Sequence, residues 1–217
     1  MKGLVIKDLV AYHRRTNTFS RLFVIVIDLL LILFMRNIYS LVTVAILIVP
    51  VNMAASATTL KEIDGNNNFA KYILTLPYSW KDFVRGRYLA ALTDGAMEAL
   101  LGLIMVILHF VLCRTFSFPV YLLYWAAGVL MGLAFIAANV MASFMAGLNA
   151  SAIVYMLSIF VVLGGFLATA FLDIDIQAIL NLPAYMLWIL GIALCLIMSV
   201  SSYFLSMRAM RRNRRKS

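Results

Sequence analysis

The sequence has few of the residues from which soluble folds and reactive sites are built. Charged residues make up only 12% of the 217-residue chain, which contains two cysteines and two histidines. The two cysteines, Cys113 and Cys195, lie near a span end and in mid-span, so no disulfide framework is implied. No further histidine, cysteine or carboxylate stands at ligand spacing, so no metal site is predicted. Segments of the form G-x-x-x-x-G-K-[ST], H-E-x-x-H and G-x-S-x-G are also missing. We therefore expect a chain that is not an enzyme and binds no cofactor itself.

Apolar residues are present in excess. They make up 65% of the chain, and the mean hydropathy is +0.99, whereas a soluble domain is about half apolar. Six apolar stretches are long enough to cross a hydrocarbon core of roughly 30 Å. They lie near residues 19–35, 38–60, 89–112, 118–145, 150–172 and 182–207. The sequence thus predicts an all-α integral membrane protein with six transmembrane helices, the first two joined by a tight turn at Arg36 and Asn37.

The basic residues predict the orientation. Sixteen of the 18 lie before or at the start of span one, in the segment 61–88, or after the last span, and only Arg36 and Arg114 fall on the other side. By the positive-inside rule, both termini and the segment 61–88 are cytosolic in a multi-pass protein of the cell membrane. Basic residues beside the spans also account for the net charge of +9 through topology and membrane lipid, without nucleic acid.

The predicted organisation has five parts. These are an amphipathic helix (1–18), spans one and two (19–60), a cytosolic loop (61–88), spans three to six (89–207) and a basic tail (208–217). In the first part, Lys7 and Asp8 share one side of a helix with two arginines, while Ile6, Val10 and Tyr12 share the other. Such a helix would lie flat on the membrane, and the alternative is a fraying terminus with chance periodicity.

The segment 61–88 is the only long polar interruption. Ser79 and Asp82 form a capping pattern that predicts a helix beginning at Trp80 and running into the next span. Two short helices around a Leu-Pro-Tyr turn at 76–78 would present apolar anchors and a basic rim to a partner protein. The alternative is a membrane loop with interfacial aromatic residues.

Ionisable residues inside the spans need an explanation, because a carboxylate at bilayer depth is costly unless it faces protein or water. Asp94 and Glu98 share one helix face, and Asp28 lies at similar depth in span one. If spans one and three are neighbours, these three carboxylates line an acidic path for cationic substrate. The alternative is that they are buried groups that hold helices together. His109 is predicted to be a hydrogen-bonded histidine, not a ligand.

Small residues in span four predict close helix packing. Gly128 and Gly132 form a GxxxG pattern that is continued by alanines at four-residue steps. Packing within the bundle is the first interpretation and dimerisation the second. Pro50 predicts a kink in span two.

Two stretches resemble the small six-span permeases of the ABC type-2 exporter superfamily of Gram-positive bacteria. The chain opens M-K-G-L-V-I-K-D, close to the M-K-G-L-L-x-K-D of many members. Its loop is similar to their pattern L-P-[VIY]-S-[RK]-x-x-[FIY]-V-x-x-[RK]-Y. The matching residues are Leu76, Pro77, Tyr78, Ser79, Phe83, Val84, Arg87 and Tyr88, with Trp80 where a base is commoner and Lys81 directly after it.

The resemblance implies a permease that pairs as a homo- or heterodimer and binds two copies of a cytosolic ABC ATPase, which holds ATP and Mg. The opening helix would be the connecting helix, and the loop would contain the coupling helix. The implied ATPase-coupling residues are Glu62, Leu76, Pro77, Tyr78, Ser79, Trp80, Lys81 and Arg85. Lys81, Arg85 and Arg87 would meet acids of the ATPase or anionic lipid. Similar members export amphipathic or antimicrobial peptides, including phenol-soluble modulins, which suits a substrate path along Asp28, Asp94 and Glu98.

Two other functions stay open at this point. A proton-coupled secondary transporter would use Asp94 and Glu98 as a relay and would need no ATPase, although the expected internal repeat is not visible. A non-transporting membrane immunity or assembly factor would tolerate neutral substitutions at the acidic residues.

Overall fold

The computed structural model describes residues 2–15, 18–66, 79–171 and 184–214, and in this part of the chain all regular structure is helical. The all-α expectation is therefore confirmed for these residues. The helices are α1 (Lys2–Arg15), α2 (Thr18–Met35), α3 (Ile38–Val42), a π-helical turn (Thr43–Ile48), α4 (Val49–Asn66), α5 (Trp80–Cys113), α6 (Phe118–Met145), α7 (Gly147–Phe171) and α8 (Ala184–Arg214).

Several helices are long and apolar enough to cross a membrane. Within the described residues there are five: Ile38–Gly65, Trp80–Cys113, Phe118–Met145, Gly147–Gly165 and Trp188–Arg212. The first predicted span corresponds to α2, whose apolar helix Leu22–Met35 is shorter. Large apolar side chains point outward from the bundle, for example Phe160 at 65% and Ile197 at 68% exposure. Such surfaces are stable in lipid and not in water, so the chain is a multi-pass membrane protein.

The turn between α2 and α3 is short and capped. α2 ends at Met35 and α3 begins at Ile38, which confirms the predicted hairpin. Arg36 has a left-handed φ of 43°, and the Asn37 side chain accepts a hydrogen bond from the Ser40 amide at 3.2 Å. These are the stop and start signals expected where one helix ends and another begins at once.

The second membrane helix changes geometry just before Pro50. Between α3 and α4 the chain makes a π-helical turn, and the Val49 amide bonds to the Val44 carbonyl. Proline has no N–H to continue the regular α-helical ladder, and π-turns are places where helices bend. The irregularity predicted at Pro50 therefore lies in the turn that precedes it.

α4 and α6 form the centre of the bundle, and α6 contacts α4, α5, α7 and α8. A Cβ at Gly128 would collide with the Ala45 carbonyl oxygen, and a Cβ at Gly132 would collide with the Met53 sulfur. The GxxxG stripe thus brings two helices of the same chain together. This observation confirms the first interpretation, packing within the bundle.

α1 is helical as predicted, and Ile6 and Val10 of its predicted apolar side are 59% and 45% exposed, as side chains that face lipid would be. Asp8, which was predicted to lie on the polar side, is instead buried against the bundle together with Leu4 and Tyr12. Periodicity placed Asp8 on the polar side because it considers only the polarity of each residue. In the structure Asp8 finds basic partners in the interior, so the face with residues 4, 8 and 12 turns inward.

Candidate functional site

A cluster of four charges, three of them buried, lies where α1, the end of α4 and the beginning of α5 meet. Arg87 bonds to the carboxylate of Asp64, and its Nε lies 3.5 Å from Oδ2 of Asp8. The Lys7 ammonium lies 2.7 Å from Oδ1 of Asp8 and 3.3 Å from Oδ1 of Asp64. The Arg87 and Asp8 side chains are only 4% and 3% exposed. We call Lys7, Asp8, Asp64 and Arg87 the four-charge cluster.

The four-charge cluster joins three helices by electrostatics. Each carboxylate contacts both bases, and the two acids and two bases sum to zero charge. Buried charges are tolerated when they are paired in this way, and separating them leaves an uncompensated charge in a poorly solvated site. Asp64 lies three residues before the undescribed residues 67–78, and Arg87 lies nine residues after them. α1 is therefore fixed to both ends of the segment 61–88.

The four-charge cluster corrects the role predicted for Arg87. That residue was expected to meet acids of a partner or anionic lipid, but it is buried and occupied by two acids of its own chain. Sequence reasoning missed Asp8 as its partner. The available signal was the spacing of Leu4, Asp8 and Tyr12 at four-residue steps, which puts Asp8 on a stripe with two residues suited to a core.

α5 begins at Trp80, as the capping pattern predicted. The Ser79 hydroxyl accepts a hydrogen bond from the Asp82 amide at 3.1 Å and donates to the Asp82 carboxylate at 2.8 Å. From there α5 continues for 34 residues to Cys113. At 1.5 Å per residue it is about 51 Å long, well beyond a hydrocarbon core of about 30 Å. The end of the polar segment and the interior of the membrane therefore belong to one continuous helix.

The other predicted coupling residues within the described structure are accounted for as follows. Glu62 pairs with Arg15 of α1 at 3.0 Å, and both side chains are exposed. Arg85 donates to the Tyr203 hydroxyl of α8 at 3.0 Å, and the Lys81 ammonium lies 5.6 Å from the centre of the Trp80 ring. Leu76, Pro77 and Tyr78 lie outside the described residues.

α8 is attached at the same end of the bundle. The Tyr88 hydroxyl contacts the hydroxyls of Ser202 and Ser206, the latter at 2.9 Å, and the Tyr88 and Tyr203 rings pack edge to face. The beginning of α5 thus contacts α1, α4 and α8 within two turns. A displacement of this end of α5 would therefore strain its contacts with all three helices.

A cavity of about 240 Å³ lies between α2, α4 and α5 and is lined by both Asp28 and Glu98. We call it the acidic cavity. Its other polar lining residues are Tyr12, Asn52 and Tyr155. The structure therefore brings together two of the three carboxylates predicted for the substrate path, because α2 and α5 are in contact.

The third carboxylate, Asp94, is 1% exposed but does not line the acidic cavity. Asn52 and the two tyrosines were missed at the sequence level, although a polar amide in an apolar span is a usable signal.

His109 is buried and hydrogen-bonded, as predicted. Its Nε2 lies 2.8 Å from the Ser40 hydroxyl, and its Nδ1 lies 3.2 Å from the Tyr121 hydroxyl. Both ring nitrogens are used in holding α3, α5 and α6 together. Across the described part of the chain, no three metal-ligating side chains converge on one point.

The chain matches one family when it is compared with known proteins. The family described as ABC-2 family transporter protein matches residues 3–211, nearly the whole length. No curated protein and no solved structure gives a significant match. The extent of the family match agrees with the apolar helices and with the two stretches of sequence similarity. The chain therefore belongs to the ABC-2 family of transporters and is a multi-pass membrane permease component.

Proposed function

We propose that this chain is the permease subunit of an ATP-driven exporter of amphipathic or antimicrobial peptides in a Gram-positive bacterium. In this proposal two copies of a cytosolic ABC ATPase bind ATP and Mg and dock on the segment 61–88. A second six-span permease chain, identical or related, pairs with this one, and both termini of each chain lie in the cytosol. The observation that supports the proposal best is the four-charge cluster, which fixes α1 to both ends of that segment.

The docking surface would combine the apolar residues Leu76, Pro77 and Tyr78 with Trp80. Lys81 and Arg85 would form its basic rim, and Ser79 would hold the helix start. Because α5 is continuous from Trp80 to Cys113, a push on the segment would move the spanning part of α5 as well. The charges of Asp8, Asp64 and Arg87 would oblige α1 to follow, because separating them is costly.

Movement of α1 would change the lining of the acidic cavity, because one of the lining residues belongs to α1. Tyr12 is a residue of α1, is 5% exposed and lines that cavity together with Asp28 and Glu98. A docking event at one end of the bundle could thus change the shape of a site for cationic cargo. We assign the substrate path to Asp28 and Glu98 and leave Asp94 out, because Asp94 does not line the cavity.

The test is a gentle detergent extraction of the tagged protein from its host, followed by pull-down and mass spectrometry. The wild-type chain should retain a stoichiometric ABC ATPase. The double variant Leu76→Glu, Tyr78→Glu should lose it while staying in the membrane. The matched control is Phe116→Glu, an apolar-to-acid change in the turn between α5 and α6, which should retain the ATPase.

Two results would contradict the proposal. If the double variant kept the ATPase and full export, the docking assignment would be wrong. If the wild-type chain retained no ATPase, a proton-coupled transporter or a non-transporting immunity or assembly factor would explain the chain better.

A further inference from the structure

In the acidic cavity, one buried carboxylate oxygen has no hydrogen-bond donor among the residues that the structure describes. Asp28 is 6% exposed and lines the cavity, and among the described residues no hydrogen-bond donor reaches its buried Oδ1 atom. Glu98 lines the same space, and none of the described lining residues is a lysine, arginine or histidine. A buried carboxylate oxygen without a donor is costly at membrane depth, and a bound cation would reduce that cost.

From this geometry we propose that the acidic cavity is a binding site for a single alkylammonium group. The oxygen atoms of Asp28 and Glu98 would accept its N–H donors, with Asn52 as a neutral acceptor. Tyr12 and Tyr155 add aromatic rings to the lining, and a cation beside such a ring is stabilised further. An organic cation fits better than a metal, because no three metal-ligating side chains converge within the described structure.

The size of the cavity limits what it can hold. Its volume is about 240 Å³, whereas one turn of a helical peptide, about 10–12 Å wide and 5.4 Å long, occupies about 400–600 Å³. The cavity would therefore accept one ammonium-bearing side chain or head group and not the body of a peptide. Because the cavity belongs to the path proposed above, this inference rests on the proposed function and specifies which chemical group is bound.

The binding experiment uses the purified full chain in nanodiscs of phosphatidylcholine, which carries no primary ammonium. Thermal unfolding is followed by intrinsic tryptophan fluorescence with n-butylammonium or with the neutral isostere 1-butanol. At ten times the dissociation constant, butylammonium should raise the Tm of the wild-type chain by about 3–6 °C, and butanol should not. No ATPase is present, so failure here is distinct from failure of the pull-down.

Single-residue variants test whether butylammonium binds at the two carboxylates of the acidic cavity. Asp28→Asn and Glu98→Gln should each lose the butylammonium shift, and Glu98 is half-buried, so its variant gives an answer if Asp28→Asn does not fold. Asp94→Asn is the matched control, since it neutralises a buried acid of α5 that lies outside the cavity, and it should keep the shift. An equal shift in all variants, an equal shift with butanol, or no shift in the wild-type chain would each overturn the proposal.

Two natural sources of an ammonium group can be separated in the same assay. If a lysine of a peptide is the ligand, a lysine-containing peptide should abolish the butylammonium shift, whereas the same peptide with norleucine in place of lysine should not. If a lipid is the ligand, nanodiscs of phosphatidylethanolamine should abolish the shift without any peptide. Abolition by neither competitor would restrict the site to free amines and would remove it from the cargo path.

Discussion

Replacing Arg87 by methionine tests whether the four-charge cluster holds α1 against α4 and α5. The substitution keeps much of the apolar stem and removes the guanidinium that contacts both Asp8 and Asp64. The two carboxylates are 3% and 9% exposed as side chains. Lys7, 32% exposed, would then be the remaining basic partner seen in the four-charge cluster, facing two acids.

The expected loss of stability is large. Removing one partner of a buried ion pair costs about 3–5 kcal/mol, because the remaining charge is left without compensation. For a chain of this size each kcal/mol lowers the Tm by about 2–4 °C, so Arg87→Met should lower it by about 6–20 °C. Thermal unfolding of the purified chain in nanodiscs, followed by tryptophan fluorescence, measures this shift.

Two further variants test whether the loss of charge pairing causes the lower Tm. Arg85→Met removes an exposed arginine two residues earlier in the same helix and should change the Tm much less. The double variant Asp64→Asn, Arg87→Met removes one charge of each sign, leaves Lys7 paired with Asp8, and should recover most of the loss. If Arg87→Met behaved like Arg85→Met, or if the double variant were no more stable than the single one, the role assigned to the cluster would be refuted.

Two other predictions concern helix packing and helix capping. Gly128→Ala should destabilise the protein by about 1–3 kcal/mol or more, because the added Cβ meets the Ala45 backbone oxygen and the two helices must separate. Gly164→Ala, where a Cβ has open space, is the control, and equal Tm values for the two variants would contradict the packing account. Ser79→Ala should cost about 1 kcal/mol by removing the cap of α5, whereas Ser79→Asp keeps an acceptor and should cost little. Urea titration of the two variants measures the difference, and equal losses would mean that the cap does not stabilise the helix.

Helix positions could be predicted because they depend on neighbouring residues. A long apolar run indicates a spanning helix, and the Ser79 and Asp82 pair indicates a start at Trp80; both signals lie within a few residues of the feature that they predict. The π-helical turn before Pro50 could not be predicted in the same way. Its register depends on how the helix packs against its neighbours, although proline indicated that some irregularity would occur nearby.

The acidic cavity was predictable in part. The charges of Asp28 and Glu98 at similar depth suggested a shared site, and the contact between α2 and α5 makes that site possible. Asp94 could not be separated from the other two by spacing, since it lies one turn from Glu98 and its direction depends on which helices surround α5. Asn52 and Tyr155 join the cavity from α4 and α7, and such contacts are not visible in the spacing of any one helix.

The sequence by itself determined that this protein crosses a membrane through apolar helices, roughly where those helices lie, and which family it resembles. Composition, periodicity and capping are local properties, so the chain order alone is enough to state them. Only the tertiary structure decided that Asp8 turns inward and that Arg87 is buried with it. Asp8 and Arg87, which are partners in the four-charge cluster, are 79 residues apart along the chain. Which distant charges meet depends on how all the helices pack together, and no single segment of the sequence contains that information.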